Sequence, residues 1–232
     1  MKIFNKETAT QLERMERVWA LEDCKKLINK FCFHIVNASL DKALDELWVK
    51  TDEYRSTASY GRNWGFFYGF DEVKRCLLEV MKAPEKGYMS FTNYSTSAIN
   101  IAGDGQSAYG VFAAVPVEVF EQDGGLVAWK SSEKICCNFV LEDDEWKIWK
   151  LFVGTEMSVR VGDDFTTYPC DLEPDAVPLP QEPICDTATI KCDAFTYRLN
   201  SWDFPPLPRV HDSYDASLSC GPEGHPDAKE AI

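Results

Sequence analysis

The sequence predicts an α+β fold: a cone-shaped barrel in which a curved antiparallel sheet packs on N-terminal helices, followed by an extended Pro-rich C-terminal strap. Three observations predict it. Four β-rich runs, 89–102, 106–120, 127–141 and 145–156, lie back to back, separated by Gly103-Asp104-Gly105, Gln122-Asp123-Gly124-Gly125 and Glu142-Asp143-Asp144. Asp-Gly and Gly-Gly between such runs are strong hairpin signals. Helical patterns precede this meander instead of alternating with it, which separates helices and sheet into two layers with room for a cavity between them. Finally, residues 108–119 are apolar on both faces, whereas a strand with one wet face alternates. Both faces are therefore expected to be covered, one by helices and cavity, the other by a second subunit or by the tail. A homodimer or higher homo-oligomer through the outer sheet face is the expectation.

The elements follow in order. Residues 7–37 read as one amphipathic helix, with Leu12, Met15, Val18, Trp19, Leu21, Cys24, Leu27, Ile28, Phe31 and Ile35 at steps of three and four, and with Thr8 or Thr10 as its cap. Asn37-Ala38-Ser39 breaks it, and Ser39 is placed to cap a second helix, 40–48, which turns Leu40, Ala43, Leu44 and Leu47 inward. Glu53 to Tyr60 alternates like a strand. Gly69, Phe70 and Asp71 open a third helix, 71–82, with Val73, Cys76, Leu77 and Met81 on one side.

The cone domain is expected to span 1–158. Residues 159–232 read as an acidic extension packing on the core or on a neighbouring subunit. Ten of the twelve prolines lie in 169–226, a density that forbids long helices and central strands. Phe195, Tyr197, Leu199, Trp202, Phe204 and Leu207 make it too apolar for a purely solvated tail. An acidic disordered linker is the competing reading.

Composition bounds the partners. The chain has 232 residues, 45% of them apolar, and a net charge of −14, with no Lys/Arg cluster longer than a pair. Phosphate backbones and anionic membranes need a basic face, so no nucleic acid and no membrane is expected as partner. The first residues lack an apolar core of signal-peptide length, and no run reaches the roughly 18 residues of a membrane helix. A cytoplasmic, soluble protein is expected. The nine cysteines are scattered, without Cys-x-x-Cys spacing, and Cys136 and Cys137 point to opposite faces of one strand. They read as buried free thiols, with a zinc or redox site as the competing reading; neither a metal nor another cofactor is called for.

Several motifs over residues 15–157 carry a resemblance: Leu40-Asp41-Lys42-Ala43-Leu44-Asp45-Glu46-Leu47, Glu53-Tyr54-Arg55-Ser56, Tyr68-Gly69-Phe70-Asp71-Glu72-Val73 and the closing Asp143-Asp144-Glu145-Trp146-Lys147-Ile148. In this order and spacing they resemble the nuclear transport factor 2-like superfamily, in its SnoaL-like and scytalone dehydratase-like branch. The resemblance implies acid–base catalysis in a dry cone, with a tyrosine on the first strand polarising a substrate carbonyl; Tyr54 matches that tyrosine. It also implies a Tyr-Asp pair on the first helix and histidines on the strands. Here Ile35 and Val36 hold the helix positions, and the strand positions fall near Thr92 or Asn93 and near Val117.

Other residues then become candidates. Trp129, Ser131, Glu133, Ile135, Cys137 and Phe139 share one strand face, which by the family register looks into the cone. A carboxylate there is desolvated and its pKa rises, which suits a general base. The opposite register leaves Glu133 as a solvated surface charge. His34, next to the substituted helix positions, is a second proton carrier or, alternatively, an outer-flank or core histidine. Tyr54 is an oxyanion donor or a half-buried strand tyrosine. Trp64 and Phe67, in the cluster Trp64-Gly65-Phe66-Phe67-Tyr68, read as an aromatic lid over a planar ligand or as a loop anchor. Asn93, Tyr94, Trp129 and Cys137 are the remaining expected lining residues. The expected function is a cofactor-independent dehydratase or isomerase acting on an aromatic, polyketide-like or steroid-like molecule. The alternative is a non-catalytic ligand-binding or assembly subunit that keeps the cone.

Overall fold

In the computed structural model, residues 3–63, 65–82, 88–122, 124–162, 188–191, 205–225 and 228 are described. Helix α1 (Gln11–Val36) starts at a capping box: the Thr10 hydroxyl accepts from the Glu13 amide at 3.2 Å, and the Glu13 carboxylate accepts from the Thr10 amide at 2.7 Å. Its C-terminal half buries Cys24, Leu27, Ile28, Phe31 and Cys32, the i, i+3, i+4, i+7, i+8 stripe of a helix laid on a sheet. The expected burial fails in the N-terminal half, where Leu12, Met15, Val18 and Trp19 are exposed. There the stripe that meets the sheet is polar, with Arg17 donating to the carbonyls of Ile101 and Ala102.

Helix α2 (Leu40–Leu47) buries Ala43, Leu44 and Leu47. Ser39 does not cap it, because its hydroxyl is hydrogen-bonded to His34 Nδ1 at 2.9 Å. The expected strand around Tyr54 is instead a helical turn, α3 (Asp52–Arg55), preceded by an extended Thr51 and opened by two acidic residues. Carboxylates at a helix start meet its positive dipole end, a local preference that outweighs the apparent alternation. The first strand, β1 (Ser59–Arg62), begins five residues later and turns directly into β2 (Gly65–Tyr68). The expected lid is therefore a strand, and alternation sends Phe66 to the outer face and Phe67 to the inner core. A Cβ on Gly61 would lie 2.4 Å from the Phe66 ring, so this close approach requires glycine. Helix α4 (Phe70–Arg75) continues as a single π-type stretch, Cys76–Val80, shorter than the 71–82 expected.

The meander forms as expected, with two interruptions. The first run splits into β3 (Met89–Phe91) and β4 (Tyr94–Ile101), and the second into β5 (Ser107–Ala114) and β6 (Val117–Gln122). Pro116, between β5 and β6, has no N–H to give a ladder. β7 (Gly125–Glu142) and β8 (Glu145–Arg160) are the long central hairpin, so the last cone strand ends at Arg160, two residues past the expected boundary. The sheet runs β3-β6-β7-β8-β1-β2-β9, with β9 at Ile190–Lys191, while β4 and β5 join it along β7. It is mixed and not purely antiparallel, because β1 lies parallel to β8, from Ser59 opposite Lys150 to Arg62 opposite Val153.

Two apolar clusters lie on opposite faces of this sheet. The inner one joins Ile28, Phe31, Leu44 and Trp48 of the helical layer to Ile135, Phe139, Leu151 and Val153. The outer one comprises Phe66, Tyr109, Cys136 and Phe152 with Leu218, Cys220 and Ala228 from the C-terminal extension. Residues 205–225 thus cover the outer face within the same chain. Tyr109 donates its hydroxyl to the Pro206 carbonyl at 2.8 Å, and the amides of Gly103 and Asp104 donate to the carbonyls of His211 and Asp212. Among the described residues no helix is long and apolar enough to cross a membrane.

Candidate functional site

A cavity of about 270 Å³ opens between the C-terminal half of α1, the π-type stretch and the inner face of the sheet. Phe31, Ile35, Leu77 and Met81 form its apolar wall, while exposed Asp41 and Lys82 stand at its mouth. The sheet side is polar: Tyr60 and Arg62 from β1, Tyr94 from β4, Glu118 from β6 and Glu133 from β7, with Tyr88 and Thr92 beside them. Period-two alternation explains the set, since Tyr60 and Arg62 lie two apart on one strand and share a face.

Arg62 and Glu133 form a buried ion pair, Nη1 to Oε1 at 3.6 Å, with the residues 8% and 7% exposed. Thr155 Oγ1 donates to the same Oε1 at 3.4 Å. Burial raises the Glu133 pKa above the ordinary carboxylate value; Arg62 opposes this, the Glu118 charge adds to it, and the Thr155 hydrogen bond opposes it. Burial works against the Arg62 charge, but Tyr60, Glu133 and Glu118 outweigh it and hold the guanidinium firmly protonated. Burial also pushes up the hydroxyls of Tyr60 and Tyr94. Tyr88, which donates to Glu118 at 3.4 Å, is pushed up by burial to about 12. These three phenols are neutral donors near pH 7, next to a carboxylate whose proton affinity has been raised.

Of the residues singled out from the sequence, Glu133 and Tyr94 meet in this cavity. The inward register of β7 holds from Glu133 through Ile135 and Cys137. Cys137 itself is buried in the core and does not line the cavity. Trp129 lies further along the same strand, opposite Glu118 and Arg160, with its indole N–H buried and without a partner among the described residues. Asn93 is exposed, and its neighbour Thr92 reaches the cavity instead. Phe67 is packed in the inner core, with the Arg75 guanidinium 5.1 Å from its ring centre. Trp64 lies outside the described residues.

Tyr54 does not reach the cavity. Its ring packs edge-on against Trp149, and its carbonyl accepts from Trp149 Nε1 at 3.1 Å. His34 points to the helix flank, where Nδ1 pairs with Ser39 and Nε2 lies 3.9 Å from Glu46. The sequence reading thus missed Tyr60, Arg62, Tyr88 and Glu118. The available signal was Tyr60-Gly61-Arg62, a same-face polar pair around a glycine, obscured by starting the first strand at Glu53 instead of Ser59. Among the described residues no three His, Cys, Asp or Glu side chains gather as a group able to hold a metal ion.

No family model matches the sequence, and no curated protein matches it. Solved structures do share its architecture. A type 2 hexachlorocyclohexane dehydrochlorinase (LinA) superposes with a TM-score of 0.54 at 10% identity, over 66% of this chain and 96% of that one. A type 3 LinA from Novosphingobium barchaimii gives 0.51 at 9% identity, over 65% and 96%. A scytalone dehydratase candidate from Novosphingobium aromaticivorans gives 0.50 at 10%, over 65% and 93%. At such identity the likeness is one of fold. The chain shares the cone fold of these structures.

Proposed function

We propose that the cavity is the active site of a cofactor-independent lyase of the dehydratase type, or of an isomerase, that starts by removing a proton next to a carbonyl. One observation carries this reading: Glu133 is a buried carboxylate with a raised pKa that lines a cavity. In this reading Glu133 takes the proton. Neutral Tyr60 or Tyr94 donates to the carbonyl oxygen as negative charge develops there, and the Arg62 charge favours that enolate electrostatically. For a dehydration, the electron pair of the enolate then expels a β-hydroxyl, which leaves as water on receiving a proton. The overlap in fold with a dehydrochlorinase and a scytalone dehydratase candidate supports an elimination.

Size narrows the substrate. A cavity of about 150 Å³ holds benzene, so about 270 Å³ favours a substrate of one or two rings over a steroid. The test is a screen of one- and two-ring hydroxy-ketones and enones, with Glu133→Gln and Tyr60→Phe as controls. Turnover that both variants abolish supports the assignment, and turnover unchanged in both overturns it. The second reading is a binding protein without turnover, favoured by the Arg62 contact that partly neutralises the carboxylate. It predicts saturable binding of the same compounds with no product.

A further inference from the structure

The outer face of the sheet holds a pair of nucleophiles that the cavity chemistry does not use. Cys136 and Asn138 stand two apart on β7 and project to the same side, where residues 205–225 cross the sheet. Asn138 sets the register of that crossing. Its Nδ2 donates to the Leu218 carbonyl at 3.2 Å, and its Oδ1 accepts from the Cys220 amide at 2.8 Å. The clamp places Cys220 Sγ 2.9 Å from Asn138 Oδ1 and 3.2 Å from the Lys150 carbonyl. There the Cys220 thiol packs in the same buried cluster of the outer face as Cys136, whose strand neighbour two residues on is the clamping Asn138. Both cysteines are fully buried and unlinked. The thiols of Cys24, Cys32, Cys76 and Cys137 belong to the inner core, on the other face of the sheet.

We infer that Cys136 and Cys220 form a thiol–disulfide site through which the C-terminal strap can be tied covalently to the sheet. The oxidant is a small disulfide such as oxidised glutathione. The Cys220 thiolate attacks one of its sulfurs and releases one thiol. The Cys136 thiolate then attacks Cys220 Sγ in the mixed disulfide and releases the second. The protein gives up two protons and two electrons, and the oxidant departs as two thiols. While the strap is docked, the pair is inert, because the thiolate is the attacking form and burial shields both sulfurs. Exchange therefore begins at Cys220 when the strap lifts and finishes when it docks again.

The experiment uses the full chain, reduced and then refolded in a glutathione redox buffer, with a fully reduced sample alongside. Both are alkylated, digested without reductant and analysed by mass spectrometry. The expected result is a peptide pair joined through Cys136 and Cys220, two hydrogens lighter than its halves. Proteolysis within 205–225 should also be slower than in the reduced sample, and Cys220→Ser should remove both effects. The proposal is overturned if both thiols remain free under conditions that link cysteines in the urea-unfolded chain. It is equally overturned if Cys220 links to another cysteine. The wild-type peptide map decides this whether or not the variant folds, and independently of any activity in the cavity.

Discussion

Arg62 with Glu133 on the inner face and Lys150 with Glu223 on the outer face are both cation–carboxylate pairs drawn largely out of water, but the first lines a cavity and the second pins the strap. Glu223 Oε1 accepts from Lys150 Nζ, from the Tyr214 hydroxyl at 2.7 Å and from the Ser219 hydroxyl at 2.8 Å. Lys150 also donates to Tyr214 at 3.1 Å and lies 4.1 Å from the Trp149 ring centre. Burial pushes the Glu223 pKa up, yet Lys150 and the two hydroxyls outweigh it, and the carboxyl ends below its ordinary value. Glu133, with longer contacts to Arg62 and Thr155, ends above its ordinary value. The number and closeness of hydrogen bonds to the charged form decide the direction. A pair whose carboxylate takes three hydrogen bonds on one oxygen staples the strap; one with fewer and longer contacts, facing a cavity, keeps its affinity for a proton.

The comparison breaks most readily at Glu133. Glu133→Gln should lower kcat on an identified substrate by about 10²–10⁴-fold, the usual worth of a general base, and steady-state kinetics would measure it. In the wild type, kcat/KM should climb as pH rises through the raised Glu133 pKa, since the base must lose its proton to act, and that limb should be missing in the variant. The folded pKa lies above the unfolded one, so the stability that Glu133 contributes is present at acid pH and is lost as pH rises through the raised value. Urea titrations of wild type and variant at several pH values should show the two curves separating in that direction.

On the outer face, Glu223→Ala should destabilise the fold by roughly 2–3 kcal/mol. That is below the about 3–5 kcal/mol of a fully buried pair, because the Glu223 side chain is 26% exposed. The urea midpoint would record the loss, while ligand affinity in the cavity should not change. A change in affinity would show that the two faces are coupled. Tyr109→Phe, which removes the bond to the Pro206 carbonyl, should cost about 1 kcal/mol and speed proteolysis of 205–225. Thr10→Ala removes the α1 cap far from both pairs and should cost about 0.5 kcal/mol, the low end for a cap. Thermal melts of this variant give the background against which the other losses are read.

Local patterns carried much of the fold. Asp-Gly turns, helix-period stripes and the acidic closing hairpin placed α1, α2 and the meander within a few residues of their observed bounds. Pro116 was visible in the sequence, but the strand break it causes was not anticipated. Glu133 was legible because alternation along β7 groups it with Ile135 and Cys137, which are buried in the inner core. Tyr54 misled because an alternating stretch of eight residues fits a strand or a helical turn opened by carboxylates equally well, and only pairing with β8 decides that the strand begins at Ser59. Tyr60 and Arg62 were lost with that boundary.

The sequence by itself therefore determined the order of the layers, the hairpins and which residues of β7 share a face, but not which face looks inward, because turn chemistry and side-chain period act within a few residues. Tertiary structure alone decided that β1 lies parallel to β8, that Arg62 meets Glu133 across β8 beside a cavity, and that the strap buries Cys220 against Asn138 in the cluster that holds Cys136. These depend on segments tens of residues apart coming into contact. The burial, hydrogen bonds and empty volume that set the behaviour of a charge or a thiol exist only once that contact is made.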